Sequence, residues 1–270
     1  MRFKIYFSCL SHTGNCRSIN QDNFICNGRY MEIQNDGMEF PLTGCVSTKT
    51  PSVFGVFDGL GGEERGEMAS FIAARNASSI SIGKDAVADI LKYCTDANEK
   101  ICKYASDNSV SAMGTTAALL VFTDHEITLC NIGDSKIFRI SDGQTEQISV
   151  DHLAIAAHGL KPPLSQNLGI PPSEMIIDPY VAKGGYNEGD LYLICSDGLT
   201  DMVAIEAVTQ ILAETEFDAA AGKLLNAALD NGGRDNITII LCKVRREKRS
   251  LLSRIFQPKN TEKGEKNHGN

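Results

Sequence analysis

The chain has 270 residues, enough to bury a substantial core in one domain, and its 42% hydrophobic and 22% charged content is ordinary for a soluble globular protein. A formal net charge of −8 argues against a general nucleic-acid binder, which normally presents a basic face. No apolar run approaches the ~20 residues of a membrane span, and Met1-Arg2-Phe3-Lys4 leads into no signal-peptide core, so a cytoplasmic protein is expected.

Residues 3–10 and 22–27 read as strands flanking a polar segment, and residues 27–44 as a hairpin or an irregular insertion. Residues 52–57 form a short β-branched and aromatic run that stops at Asp58-Gly59. Helices are expected over 63–79, with acids in the first turn, and over 85–106, where Val87, Ile90, Leu91, Cys94, Ala97, Ile101 and Tyr104 share one face. A meander follows at 115–122, 127–132, 135–140 and 145–148, turning at Asp124-His125, Gly133-Asp134 and Asp142-Gly143, and tight turns imply antiparallel pairing. Residues 151–186 read as a surface excursion, 191–195 as a buried strand, 205–214 and 218–229 as helices, and 237–244 as the last strand. This order predicts an α+β fold with helices layered on sheet.

A single domain is expected over 1–244, followed by a basic tail, 245–270, read as disordered. A short amphipathic contact helix at 250–256 is the weaker alternative for part of that tail. The nine cysteines are scattered singly, which fits reduced thiols. Cys130, Cys195 and Cys242 lie in apolar runs, where cysteine behaves as a small hydrophobe. The five histidines form no metal set, and His125, His152 and His158 are expected at the surface.

Three motifs place an aspartate where an apolar strand stops or starts: Phe57-Asp58-Gly59-Leu60-Gly61-Gly62, Ser196-Asp197-Gly198 and Arg234-Asp235-Asn236. Each alone reads more readily as a turn or a cap. Gathered at the mouth of one core they would repel, and a hard divalent cation with oxygen ligands is the usual remedy. The glycines after Asp58 allow close backbone approach to a ligand, but they have neither the Walker spacing nor its lysine. Asp142-Gly143, with polar neighbours, is left as a hairpin turn. Arg17 lies near Asp22 and could serve as a phosphate clamp or as a local salt-bridge partner.

In order, Arg17-x-x-Asn20-Gln21-Asp22, Phe57-Asp58-Gly59-Leu60-Gly61-Gly62, Gly114-Thr115-Thr116, Gly133-Asp134-Ser135, Ser196-Asp197-Gly198-Leu199 and Asp235-Asn236-Ile237-Thr238 closely resemble the successive motifs of the PPM/PP2C protein serine/threonine phosphatases. Gly66-Glu67-Met68-Ala69-Ser70 resembles bacterial members in particular. The resemblance implies a four-layer α-β-β-α sandwich of two antiparallel sheets flanked by helix pairs. It implies that Asp58 bridges two Mn²⁺ or Mg²⁺ ions, that Asp197 and Asp235 complete the first metal site, and that the Gly59 carbonyl ligates the second. Asp22 would hold metal-bound water, Arg17 the substrate phosphate, and Asp134 with Asp197 a third, weaker metal.

The implied activity is hydrolysis of phosphoserine and phosphothreonine in proteins by metal-activated water, opposing a cognate bacterial Ser/Thr kinase. A monomer is expected. The alternatives are a weakly active regulatory binding module and a small-molecule phosphohydrolase. Gln21 stands where many members carry a metal-ligating glutamate, and Leu60 where eukaryotic members carry a histidine.

Overall fold

A computed structural model describes residues 2–60, 65–124, 126–156 and 161–247. Gly61, Gly62, His125, His158 and the segment 250–256 therefore lie outside the described residues.

Strand β1 (Phe3–His12) leads through a polar loop to β2 (Asn23–Cys26), β3 (Leu42–Ser47) and β4 (Ser52–Phe57). The two-residue β5 (Gly59–Leu60) precedes helices α1 (Gly66–Ala77) and α2 (Ala86–Asp107). Next come β6 (Gly114–Thr115), β7 (Ala117–Phe122), β8 (Ile127–Ile132), β9 (Lys136–Ser141) and β10 (Gln144–Gln147). Strands β11 (Tyr180–Gly184) and β12 (Leu191–Cys195) precede α3 (Asp197–Thr200), α4 (Ile205–Glu214), α5 (Phe217–Asp230) and β13 (Ile237–Arg246).

Pairing is antiparallel throughout the two main sheets, ordered β10-β9-β12-β13-β1-β3 and β11-β8-β7-β4-β2. Side-chain alternation decides how they stack. Phe54, Val56, Leu120 and Phe122 of one sheet meet Tyr192, Ile194, Ile240 and Cys242 of the other. The intervening residues Leu119 and Val121 face Ala73, Ile90 and Ala97 of α1 and α2. On the far side Leu193, Ile239 and Leu241 face Ala221 and Leu224 of α5. The result is the α-β-β-α layering, in which the central strands are covered on both faces. All six residues of β7 are accordingly buried, which is why its sequence is uninterruptedly apolar.

The helices form for local reasons as well. The Asp85 carboxylate accepts from the backbone N–H of Ala88 at 3.2 Å and so caps α2, and the small residues Ala69, Ala73 and Ala77 let α1 approach α2 closely.

The structure departs from the sequence expectation in four places. First, residues 27–44 do not form a self-contained insertion: they run into β3, an edge strand on β1, where the Phe7 ring lies against Gly44. Second, the stretch 151–186 ends in another edge strand, β11, paired with β8. Third, Gly133-Asp134 is not a hairpin turn, because β8 and β9 belong to different sheets and the chain crosses between them there. Fourth, the last strand continues past Val244, pairing Arg245 with Lys4 and Arg246 with Phe3.

Phe122 sits at the centre of the inter-sheet layer, with edge-to-face contacts to Phe54, Tyr186 and Tyr192 at centroid distances of 5.9, 5.8 and 5.4 Å. Phe122→Ala should cost about 3–5 kcal/mol of stability, read as a lower urea midpoint. A loss below about 1 kcal/mol would show that the two sheets do not pack as described.

Candidate active site

The aspartates collect at one end of the sandwich, because most of them stand beside the end of a strand. Asp22 leads into β2, Asp58 follows β4, Asp197 lies just past the end of β12 and Asp235 lies just before β13. Asp134 joins them from the β8–β9 crossover, which turns at Gly133 with φ of +102°.

Asp22 is 1% exposed and reaches from the five-stranded sheet to the six-stranded one. Its Oδ2 accepts from Ser196 Oγ at 2.8 Å and from Thr238 Oγ1 at 2.7 Å, whereas Oδ1 has no partner among the described residues. Burial pushes its carboxyl up to about 7; the two hydroxyls oppose the shift, and the charges on Asp197 and Asp235 add to it. Ser11 Oγ lies 2.9 Å from Thr238 Oγ1, and Asn20 Nδ2 donates to Ser11 Oγ at 3.0 Å, extending the network into β1.

Asp58 is held by its backbone. Its N–H donates to Thr116 Oγ1 at 3.0 Å, and its carbonyl accepts from Thr116 N at 2.9 Å and Thr115 Oγ1 at 3.0 Å. Among the described residues no hydrogen bond reaches its carboxylate. Burial holds that carboxyl well above the usual range, and the charges of Asp22, Asp197, Asp134 and Asp235 push it the same way. Gly59 follows because nothing larger fits: a Cβ there would lie 2.4 Å from both the Gln21 and Gly66 carbonyl oxygens. Gly198 is confined likewise, 2.0 Å from the Asn236 carbonyl.

The other acids have cationic partners. Arg17 pairs with Asp235 at 2.8 Å rather than with its sequence neighbour Asp22. Lys161 pairs with Asp197, and with Asp201 at 2.8 Å. Asp134 is raised to about 6 by burial and by Asp197, against the pull of Lys161 and Lys136. The loop that carries Arg17 is stitched to β13 by Asn236, whose Nδ2 donates to Thr13 O and Ile19 O at 2.8 and 3.0 Å. Its Oδ1 accepts from Gln21 N at 2.8 Å.

All seven residues singled out from the sequence thus lie on the segments that frame this mouth. Their carboxylates are electrostatically coupled, yet among the described residues no three His, Cys, Asp or Glu side chains converge as a metal-binding group. The chemistry still fits a hard cation: every candidate ligand is an oxygen, Asp22 Oδ1 is buried without a partner, and Asp58 is raised by four other acids.

Sequence reasoning missed several participants. Lys161 and Asp201 carry no motif. Glu67 was quoted only as part of a helix start, yet its Oε2 accepts from Gln21 Nε2 at 3.3 Å. Ser196 and Thr238 were quoted within motifs, but their hold on Asp22 depends on bringing together positions 174 and 216 residues apart. His152 is half-buried rather than at the surface: its Nδ1 accepts from Gly133 N at 3.3 Å and its N–H donates to Gly133 O at 2.9 Å.

The family profile described as "Protein phosphatase 2C" matches residues 42–232. The chain belongs to the protein phosphatase 2C family. Among curated relatives, the serine/threonine protein phosphatase PstP of Mycobacterium tuberculosis is 29% identical over 202 residues, 69% of this chain, although the chain spans only 39% of that protein. The serine/threonine phosphatase stp of Listeria innocua is 27% identical over 216 residues, 72% of this chain and 84% of the relative. The fold is similar to the crystal structure of the catalytic domain of serine threonine protein phosphatase PstP in complex with two manganese ions. The TM-score is 0.73 at 24% identity, over 90% of this chain and 100% of that one.

The acids make this protein phosphatase 2C domain pH-sensitive when metal is absent. Asp22 is raised from 3.8 to about 7 and Asp134 to about 6, so between these limits the folded state binds more protons than the unfolded state. The contribution is full below pH ~4 and is lost as pH rises to ~7. Urea denaturation in chelator should therefore show stability from these groups falling by on the order of a few kcal/mol over that window. Asp22→Asn should flatten the slope; an unchanged slope would show that Asp22 does not titrate there.

Proposed function

We propose that this chain is a Mn²⁺- or Mg²⁺-dependent phosphatase acting on phosphoserine and phosphothreonine in proteins, working against a serine/threonine kinase. The observation that carries this reading is the Asp22–Asp58 pair. One buried carboxylate oxygen has no partner among the described residues, and a neighbouring carboxyl is raised by burial, by Asp22 itself and by three more acids, all at the same end of the sandwich. Family membership and the phosphatase activities for which PstP and stp are named support it. The two manganese ions of the PstP catalytic domain support the choice of metal.

In this reading Asp58 would contribute to both ions, Asp197 and Asp235 would hold one, the Gly59 carbonyl would hold the other, and Asp134 with Asp197 would face a third position. When bound, such ions lower the pKa of water towards neutrality and draw charge from phosphoryl oxygens. The chain's own groups supply the rest. Asp22 Oδ2 is occupied by two hydroxyls, leaving Oδ1 to accept a proton from the attacking water and orient it.

Arg17 supplies the phosphate clamp. Its side chain is 50% exposed and that of Asp235 39%, and an exposed pair of this kind contributes about 0–1 kcal/mol. A phosphate dianion offering two charge-assisted hydrogen bonds can therefore draw the guanidinium away. The alternative nucleophiles fail on burial. The Cys195 thiol is fully buried and pushed up to about 12, chiefly by that burial. Ser196 Oγ is equally buried and engaged with Asp22 and with the Thr238 N–H. With these two set aside, the reading takes water as the nucleophile, attacking directly without a phosphoenzyme.

A phosphopeptide hydrolysis assay with and without Mn²⁺ tests the reading. Activity should require metal, and Asp58→Asn and Asp197→Asn should each lower kcat by about 10²-fold or more, since even outer partners of a metal are worth 10–100-fold. Turnover that survives EDTA, or is intact in Asp58→Asn, would overturn the mechanism. Efficient hydrolysis of a small phosphate ester beside poor turnover of phosphopeptides would reassign the substrate class. Arg17→Ala should act chiefly on KM, and an unchanged KM would remove the clamp assignment.

A further inference from the structure

One cation at the site comes from neither sheet. Lys161 lies between β10 and β11, and its Nζ pairs with Asp197, on the first turn of α3, and with Asp201, which follows α3. The two acids stand one helical turn apart, so a single ammonium straddles both. The Asp197 side chain is only 11% exposed, which leaves little water to compete for it. A second ammonium supports the same corner: Lys136 Nζ donates to the Asp134 carbonyl at 3.0 Å and pairs with Asp151 at 2.9 Å. Asp134 therefore feels both Lys161 and Lys136.

Asp134 and Asp197 are the two acids that the proposed function assigns to a third, weaker ion. Resting on that reading, we propose that Lys161 is the resident counter-charge at this position, so that the protein takes up two Mn²⁺ rather than three, and the segment bearing Lys161 is tied to the active site by charge.

Charge points the same way: among the described acids, Asp197 and Asp201 already share the Lys161 ammonium. Displacing Lys161 would also break both of its ion pairs, and a weakly held, strongly hydrated ion has little binding energy to offset that. The contact differs from an incidental surface pair, because one of its acids belongs to the site and the other serves only as a second foothold.

The test is a count of bound Mn²⁺. Full-length protein is stripped with EDTA, desalted and titrated with Mn²⁺ by calorimetry, with free Mn²⁺ followed by electron paramagnetic resonance. Wild type and Lys161→Arg should bind two ions per chain. Lys161→Gln should bind a third, and Lys161→Gln combined with Asp134→Asn should lose it again. Far-UV circular dichroism of each variant checks that the fold is intact, which the half-exposed position of Lys161 favours.

Three ions in wild type, or the same two in Lys161→Gln, would overturn the inference while leaving the two-metal reading standing. A third ion that persists without Asp134 would overturn it as well, by locating that ion elsewhere. Wild type that binds fewer than two ions would sink the two-metal reading and this inference together.

Discussion

A carboxylate carried by one sheet and buried against another must be answered from across the interface, and Asp22 imposes that requirement on this fold. It enters from the five-stranded sheet, and the hydroxyls that hold it, Ser196 and Thr238, belong to the other. Leaving a buried charge unanswered costs several kcal/mol, so the sheets cannot simply close over this end with apolar side chains. Hydrogen bonds join them at this end, extended by Ser11 and Asn20, and Phe54, Phe122 and Tyr192 pack between them in the apolar layer. The acids of the site are thus side chains that the hydrophobic layer cannot absorb, presented where strands end.

This arrangement explains why the protein carries its own cations. Arg17 answers Asp235, Lys161 answers Asp197 and Asp201, and neither cation belongs to a sheet. Both side chains are about half exposed, so each can exchange partners at modest cost, whereas Asp22 and the Asp58 backbone are fixed by buried hydrogen bonds. A rigid floor of carboxylates with a movable rim of cations is suited to admitting an anionic substrate. The floor does not rearrange when the rim does.

The sequence exposed the elements whose environment is uniform. β7 and β12 are buried on both faces and read as continuous apolar runs, and α2 shows its buried face at helical spacing because its other face meets water. β3 and β11 are edge strands with mixed exposure, so neither an apolar run nor clean alternation marks them. The crossover at Gly133 looked like a hairpin because a glycine with positive φ serves a tight turn and a change of sheet equally well. In the site, aspartates next to glycines were legible, since close backbone approach demands glycine at 59 and 198. Lys161 was not, because a lysine in a polar stretch carries no signal of the acid it will meet.

Asn236 has a consequence for the order in which the molecule comes into being. Its side chain ties down Thr13, Ile19 and Gln21, residues made more than two hundred positions earlier. The segment bearing Arg17 therefore lacks these ties until the last strand has been synthesised and has added itself beside β1. Helices and the β7–β8 pair can form while the chain is still growing, because their contacts are local. The loop that carries Arg17 cannot complete its contacts so early. A ribosome-bound chain lacking β13 thus has its helices and most of its strands but not the Asn236 anchor of the Arg17 loop.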